Sequence, residues 1–137
     1  MFALDDKLKQ GSAEVASLDL CLVLLMNDKT WPWLILVPRV KNAREIRELS
    51  KPDRTLLMEE IVIASNVIER LYKPDKINIG ALGNVVPQLH VHVIGRFKSD
   101  KAWPGPVWGA LPPVPYAAHE LQDAIKDLKN AFASGRG

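Results

Sequence analysis

The chain has 137 residues, 47% of them hydrophobic and 25% charged, with a formal net charge of +2. That suits one domain around one core, spanning residues 1–137, and the near-balanced charge gives no dedicated nucleic-acid or membrane surface. One cysteine, Cys21, excludes an intrachain disulfide and a cysteine-based zinc knot and fits a reducing compartment.

Met1 to Gln10 mixes Asp5, Asp6, Lys7 and Lys9 with apolar residues, and lacks the apolar stretch of a secretory signal. The longest apolar run, Leu20 to Met26, is far short of the ~20 residues that span a bilayer. A cytoplasmic location is the expectation.

Residues 3–10 predict a short helix. Leu18 to Met26 is an almost unbroken apolar run ending at Asn27-Asp28, which reads as a strand covered on both faces. Trp33 to Val37 follows, closed by Pro38, and the two segments predict an antiparallel hairpin. The run from Arg39 to Arg47 carries Arg39, Lys41, Arg44 and Arg47 with Glu45. It reads as a solvated loop and short helix, with enough positive charge to attract a polyphosphate.

Ser50-Lys51-Pro52-Asp53 opens the main helix: Ser is a good N-cap, Pro is tolerated in the first turn, and Asp suits the positive end of the dipole. Leu57, Ile61, Ala64, Ile68 and Leu71 recur at helical spacing as its apolar stripe. Glu59, Glu60, Glu69 and Arg70 are expected on the solvated side. Lys73-Pro74-Asp75 ends it.

Residues 77–82 predict a short strand, 83–87 a turn, and 88–97 a long strand. Residues 101–115 hold five prolines and two tryptophans, which predicts a structured loop without regular elements. A last helix runs from about Tyr116 to Phe132, with Leu121, Ile125, Leu128 and Phe132 as its stripe, and Gly135-Arg136-Gly137 reads as a tail. Strands, helix, strands and helix in that order, with short links, predict an α+β fold with a mostly antiparallel sheet of about five strands. No glycine-rich phosphate loop is present.

Two of the three histidines fall in Gln88-Leu89-His90-Val91-His92-Val93-Ile94. Polar side chains at 88, 90 and 92 alternate with apolar ones at 89, 91 and 93, the pattern of a half-buried strand. Gln88, His90 and His92 should therefore project together, with Leu89, Val91 and Val93 in the core behind them. Three readings fit the two imidazoles. They are hydrogen-bonded structural residues, or ligands of a metal with Cys21, Asp75, Asp100 or His119 as further donors, or the centre of phosphoryl-group chemistry with His90 as nucleophile. His119 lies about 200° round the last helix from its apolar stripe and should face solvent.

The same segment resembles the His-φ-His-φ-His-φ-φ motif (φ apolar) of the histidine triad (HIT) superfamily, with Gln88 in place of the first histidine. Leu34-Ile35-Leu36-Val37-Pro38 resembles the upstream strand ending in Val-φ-Pro. Ile77-Asn78-Ile79-Gly80 resembles the φ-Asn-x-Gly strand, Gly83-Asn84-Val85-Val86 the turn before the motif, and Trp103-Pro104-Gly105 the Trp-Pro-Pro-Gly segment after it. The resemblance covers about residues 18–108.

The resemblance implies a HIT-like α+β fold with a long central helix and a C-terminal helix, usually a homodimer joining two sheets across a two-fold axis. It implies transfer or hydrolysis of a nucleotidyl group through a covalent histidine intermediate, with no metal or other cofactor in the chemical step. By position, His90 falls on the nucleophile and His92 on the histidine that contacts the phosphate and the departing atom. Gln88 is expected to help hold and polarise phosphate and leaving group. Asn84 falls on a phosphate-holding turn residue and Asn78 on an asparagine lining the site. The strand from Leu20 to Met26 would wall the base pocket, with Asn27 as a ribose contact and Trp33 as a substrate contact. Three positions depart from the family pattern. Gln88 cannot carry a proton as histidine can, Trp33 replaces a histidine, and Val85 replaces a hydroxyl residue. These changes leave open a non-catalytic or weakly catalytic nucleotide-binding module as the alternative to a hydrolase.

Overall fold

The structure, a computed structural model, describes residues 1–134. The tail read at Gly135-Arg136-Gly137 lies outside the described residues. In chain order the elements are helix α1 (Asp6–Gln10), strands β1 (Ser12–Ser17), β2 (Cys21–Met26) and β3 (Trp33–Pro38), helix α2 (Lys51–Tyr72), strands β4 (Lys76–Gly80) and β5 (Val91–Arg96), and helix α3 (Ala118–Ser134). A 3-10 turn at Ile46–Glu48 precedes α2. The strands form one antiparallel sheet in the order β1-β2-β3-β5-β4, the expected α+β architecture.

The sheet has two different faces. On one, Val23, Leu25, Leu34, Leu36, Val91 and Val93 pack against Leu57, Ile61, Ala64 and Ile68 of α2 and Leu128 and Phe132 of α3. On the other, Leu24, Trp33, Ile35, Val37 and Ile94 meet Leu8, Trp31 and Val107, with Phe2, Leu4 and Trp108 at the margin. With both faces covered, the central strands read as continuous apolar runs, which is why β2 and β3 show no alternation in the sequence.

Helix α2 begins as the sequence predicts: the Ser50 side chain accepts from the Asp53 N–H at 3.2 Å. It ends with Lys73 in the left-handed region (φ 51°). Two expectations for α2 need correction. Leu71 is exposed, and Glu60 is buried rather than solvated. The Glu60 carboxylate accepts the backbone N–H groups of Leu20 (2.9 Å) and Cys21 (2.7 Å), so a charge inside the core is matched by two donors at the start of β2. The Cys21 thiol beside it is pushed well above its ordinary range by burial, with the Glu60 charge adding to the effect.

Strand β1 is an element the sequence reading lacks. Ser-Ala-Glu-Val-Ala-Ser has one buried residue, Val15, and its pairing with β2 shifts register between Glu14 and Ala16, so neither apolar content nor alternation marks it. The histidine strand is shorter than expected. The ladder begins at Val91, and Gln88 to His90 lie before it. There the Leu89 N–H bonds to the carbonyl of Ala43 at 2.9 Å instead of to a neighbouring strand.

Candidate active site

Alternation nevertheless holds from Leu89 to Val93. Leu89, Val91 and Val93 enter the helix-side core, and His90 and His92 share the opposite face with ring centroids 5.0 Å apart. Each ring is 7% exposed. The two imidazoles make unlike hydrogen bonds, and that difference defines the site.

His90 Nδ1 lies 2.7 Å from the carbonyl oxygen of Gln88. A carbonyl only accepts, so Nδ1 carries the proton. A neutral His90 therefore holds its lone pair on Nε2, the form required of a nucleophile. His92 is the reverse. Its Nδ1 accepts from Trp33 Nε1 at 2.9 Å, and indole only donates, so neutral His92 carries its proton on Nε2. Burial, with the charge of His90 as a second cause, lowers the His92 pKa to about 4. Near neutral pH it is thus an uncharged ring with one N–H to offer.

The two rings also differ in access. Trp33 and Trp108 stand edge-on to His92, with ring centroids 5.7 and 5.4 Å away. His90 borders a cavity of about 270 Å3 lined also by Arg44, Glu45, Arg47, Leu82 and Gly83. A second hollow of about 530 Å3 lies between Phe2, Ala3, Lys41, Asn42, Arg44 and Gln88.

The loop carrying Trp108 is anchored by a buried ion pair. Arg96 Nε and Nη2 donate to Asp100 Oδ2 and Oδ1 at 2.9 and 3.1 Å, and Arg96 Nη1 donates to Asn78 Oδ1 at 2.8 Å. Burial opposes ionisation of Asp100. The Arg96 guanidinium and the N–H groups of Phe97 and Ala102 outweigh it, and hold the carboxyl well below the usual range. Trp31 and Trp103 flank the guanidinium at 5.8 and 5.9 Å.

The remaining sequence candidates fall in different places. Gln88 borders the larger hollow, but its amide is engaged: Oε1 accepts from Asp5 N and Nε2 donates to Ala3 O, both at 2.8 Å. Trp33 is buried against His92. Asn78 lies on β4 two residues from Gly80, the ladder partner of His92, with its oxygen used by Arg96. Asn84 is exposed in the turn after Gly83, whose φ is +73°. Asn27 lies just after β2, where Oδ1 accepts from Tyr116 N at 3.0 Å and fixes the approach to α3. The base-pocket wall expected of Leu20 to Met26 is covered in part, since Leu22, Leu24 and Met26 cluster with Phe2, Leu4 and Leu8. Arg44 and Arg47 beside His90, and Trp108 over His92, are neighbours that the motif did not reveal. The basic run was the one signal for the arginines.

His119 is exposed on α3, and among the described residues no group of three His, Cys, Asp or Glu side chains converges to hold a metal ion. Among the same residues no helix is long and apolar enough to cross a membrane.

An antiparallel sheet backed by a long helix, with two adjacent imidazoles of opposite tautomer on its outer face, defines a histidine-centred α+β protein. The HIT domain model matches residues 8–99. A histidine triad protein from Marinobacter aquaeolei VT8 is 46% identical, with 98% of each chain covered and a TM-score of 0.92. One from Bradyrhizobium japonicum is 43% identical over 96% of this chain and 98% of that one, also at a TM-score of 0.92. A hypothetical histidine triad nucleotide-binding protein from Sulfolobus tokodaii, 16% identical over 89% of this chain and 84% of that one, shares the fold at a TM-score of 0.68. Among curated proteins nothing matches. The chain belongs to the histidine triad family, whose character is nucleotide-binding and hydrolase-type.

Proposed function

We propose that the protein is a nucleotidyl hydrolase or transferase acting on nucleoside phosphoramidates, nucleotide esters or dinucleoside polyphosphates. The single observation that carries this reading is the hydrogen bond from His90 Nδ1 to the Gln88 carbonyl, which leaves Nε2 as the nucleophilic nitrogen beside a basic cavity. His90 attacks the α-phosphorus, a nucleotidyl-His90 intermediate forms, and water resolves it. His92 donates its Nε2–H to phosphate oxygen, an electrostatic role that needs no change of protonation. Asn84 and the amide nitrogen of Asn78 are the proposed phosphate contacts. Gln88 acts from the wall of the larger hollow, Trp33 acts through His92, and Asn27 supports the neighbouring segment. No metal takes part in the step.

A homodimer is part of the same proposal. Strand β4 is an edge of the sheet, paired with β5 alone, and Ile79, Leu82 and Val85 on and after it are exposed. An unprotected apolar edge is a template for pairing with another strand. Light scattering after size exclusion checks it, and a monomer at micromolar concentration rejects it.

His90→Ala tests the chemistry. Turnover of a panel of adenine and guanine nucleotide substrates should vanish while the fold persists, and mass spectrometry of wild type should show a nucleotidyl adduct on His90. Turnover surviving in the variant rejects the nucleophile. The engagement of the Gln88 amide by the N-terminal segment favours a second reading, a nucleotide-binding module with weak or no turnover. Calorimetric binding of nucleoside monophosphates with no hydrolysis across the panel would select it.

A further inference from the structure

The proposed reaction must discharge a leaving group, and two observations bear on what that group is. The first is charge. Arg44 and Arg47 line the cavity that His90 borders and line the adjoining hollow of about 250 Å3 as well. Both are exposed, and among the described residues neither forms an ion pair with a carboxylate. Glu48 is committed to the backbone, accepting the N–H groups of Arg44 (2.9 Å) and Glu45 (2.8 Å). Around His90 two guanidinium groups thus face one acid, Glu45.

The second is that neither polar neighbour of His90 in the motif, His92 or Gln88, supplies a proton. Neutral His92 spends Nδ1 on the Trp33 indole and offers Nε2–H as a hydrogen bond, not as an acid. Gln88 has no ionisable proton, and its amide is held by Ala3 and Asp5. An amine must gain a proton as it departs, and general acid catalysis contributes ~10²–10⁴-fold where it operates. A phosphate departs as a stable anion and needs none. At about 270 Å3 the cavity falls below the roughly 300–1,000 Å3 typical of drug-sized ligands, which suits phosphoryl groups better than a whole nucleoside.

Resting on the nucleotidyl-transfer reading above, we propose that Arg44 and Arg47 receive the departing group, and that they select substrates whose leaving group is a phosphate or polyphosphate over those that release an amine. The lone pair of His90 Nε2 forms the N–P bond. The bond from phosphorus to the bridging oxygen breaks, and its electron pair stays on the departing phosphate, facing the guanidinium groups. Water then forms a P–O bond, the N–P bond breaks with its pair returning to Nε2, and the surplus proton passes to solvent.

The test compares substrates that share one nucleotidyl group: dinucleoside tetraphosphates and nucleoside 5′-(alkyl)phosphoramidates, in adenine and guanine series. Wild type should favour the tetraphosphate in kcat/KM by about 100-fold or more, the scale set by a missing general acid. The double variant Arg44→Ala, Arg47→Ala should shrink that ratio by about 10-fold or more, the effect of losing close charge complementarity. Equal wild-type rates on both classes, or an equal loss on both in the variant, overturns this inference alone. No turnover of any substrate and no adduct on His90 overturns the nucleotidyl-transfer reading and this inference with it.

Discussion

Trp33 Nε1 donates to His92 Nδ1 at 2.9 Å, and through that bond a residue with no acid–base chemistry decides where a histidine of the candidate site keeps its proton. The family resemblance places a histidine at position 33, and indole offers a single donor in its stead. Trp33→Phe keeps a large buried ring but removes the N–H. The neutral Nδ1–H form of His92 should then become populated in long-range 1H–15N spectra, and turnover should fall by about 10-fold or more, because the wrong tautomer withholds the Nε2–H. Stability should drop by about 1 kcal/mol. An unchanged tautomer ratio would show that the indole does not set it.

The same ring makes stability depend on pH. His92 titrates near 4 in the fold and near ~6.5 in an unfolded chain. Above ~6.5 both states leave it neutral. As pH falls below that value the unfolded chain takes up a proton that the folded one refuses, so stability declines until the folded pKa is reached. The full loss is at most about 3 kcal/mol. Wild type should therefore lose stability faster than His92→Phe between pH 7 and 4 in urea unfolding. Parallel curves would mean that His92 is not the group responsible.

Much of this arrangement was legible in the sequence because two periodicities survive tertiary packing. The helical stripe of α2 and the alternation from Leu89 to Val93 both report which side meets the core. Glu60 broke the first rule, since its partners are the N–H groups of Leu20 and Cys21, 40 and 39 residues away and invisible to any local pattern. Strand β1 has too little burial to leave a pattern. Gln88 looked like a third member of the polar row, yet what occupies its amide is the backbone of Ala3 and Asp5, and a sequence gives no notice of such a long-range contact. The tautomers were out of reach for the same reason. They depend on a carbonyl and an indole whose positions only the fold supplies.

The Gln88 amide latches the N-terminal segment across the margin of the site, with one bond in each direction. Gln88→Ala should release it. Hydrogen exchange at Asp5 should rise, proteolysis near Phe2 and Leu4 should accelerate, and stability should fall by about 1–2 kcal/mol. If the latch also walls the larger hollow, nucleotide affinity should weaken in parallel. Unaltered exchange at Asp5 would show that the segment is held by Phe2 and Leu4 packing alone.

Gly80 leaves space for an aromatic ring, not for backbone freedom. A Cβ there would lie 2.9 Å from the far edge of the Trp108 indole, and Trp108 is the ring that closes over His92. Gly80→Ala should push Trp108 aside, admit water to His92 and return its pKa toward the ordinary ~6.5, at a cost of about 1–3 kcal/mol from overpacking. The same opening can be approached from the other end of the loop. Asp100→Ala removes both bonds to Arg96 and the acceptor for the Phe97, Ala102 and Trp103 N–H groups. It strands a buried guanidinium and should lose about 3–5 kcal/mol. If Trp108 is what keeps His92 dry, NMR titration should show its pKa rising in both variants despite their different stabilities. A rise in Asp100→Ala alone would trace the effect to general loosening instead.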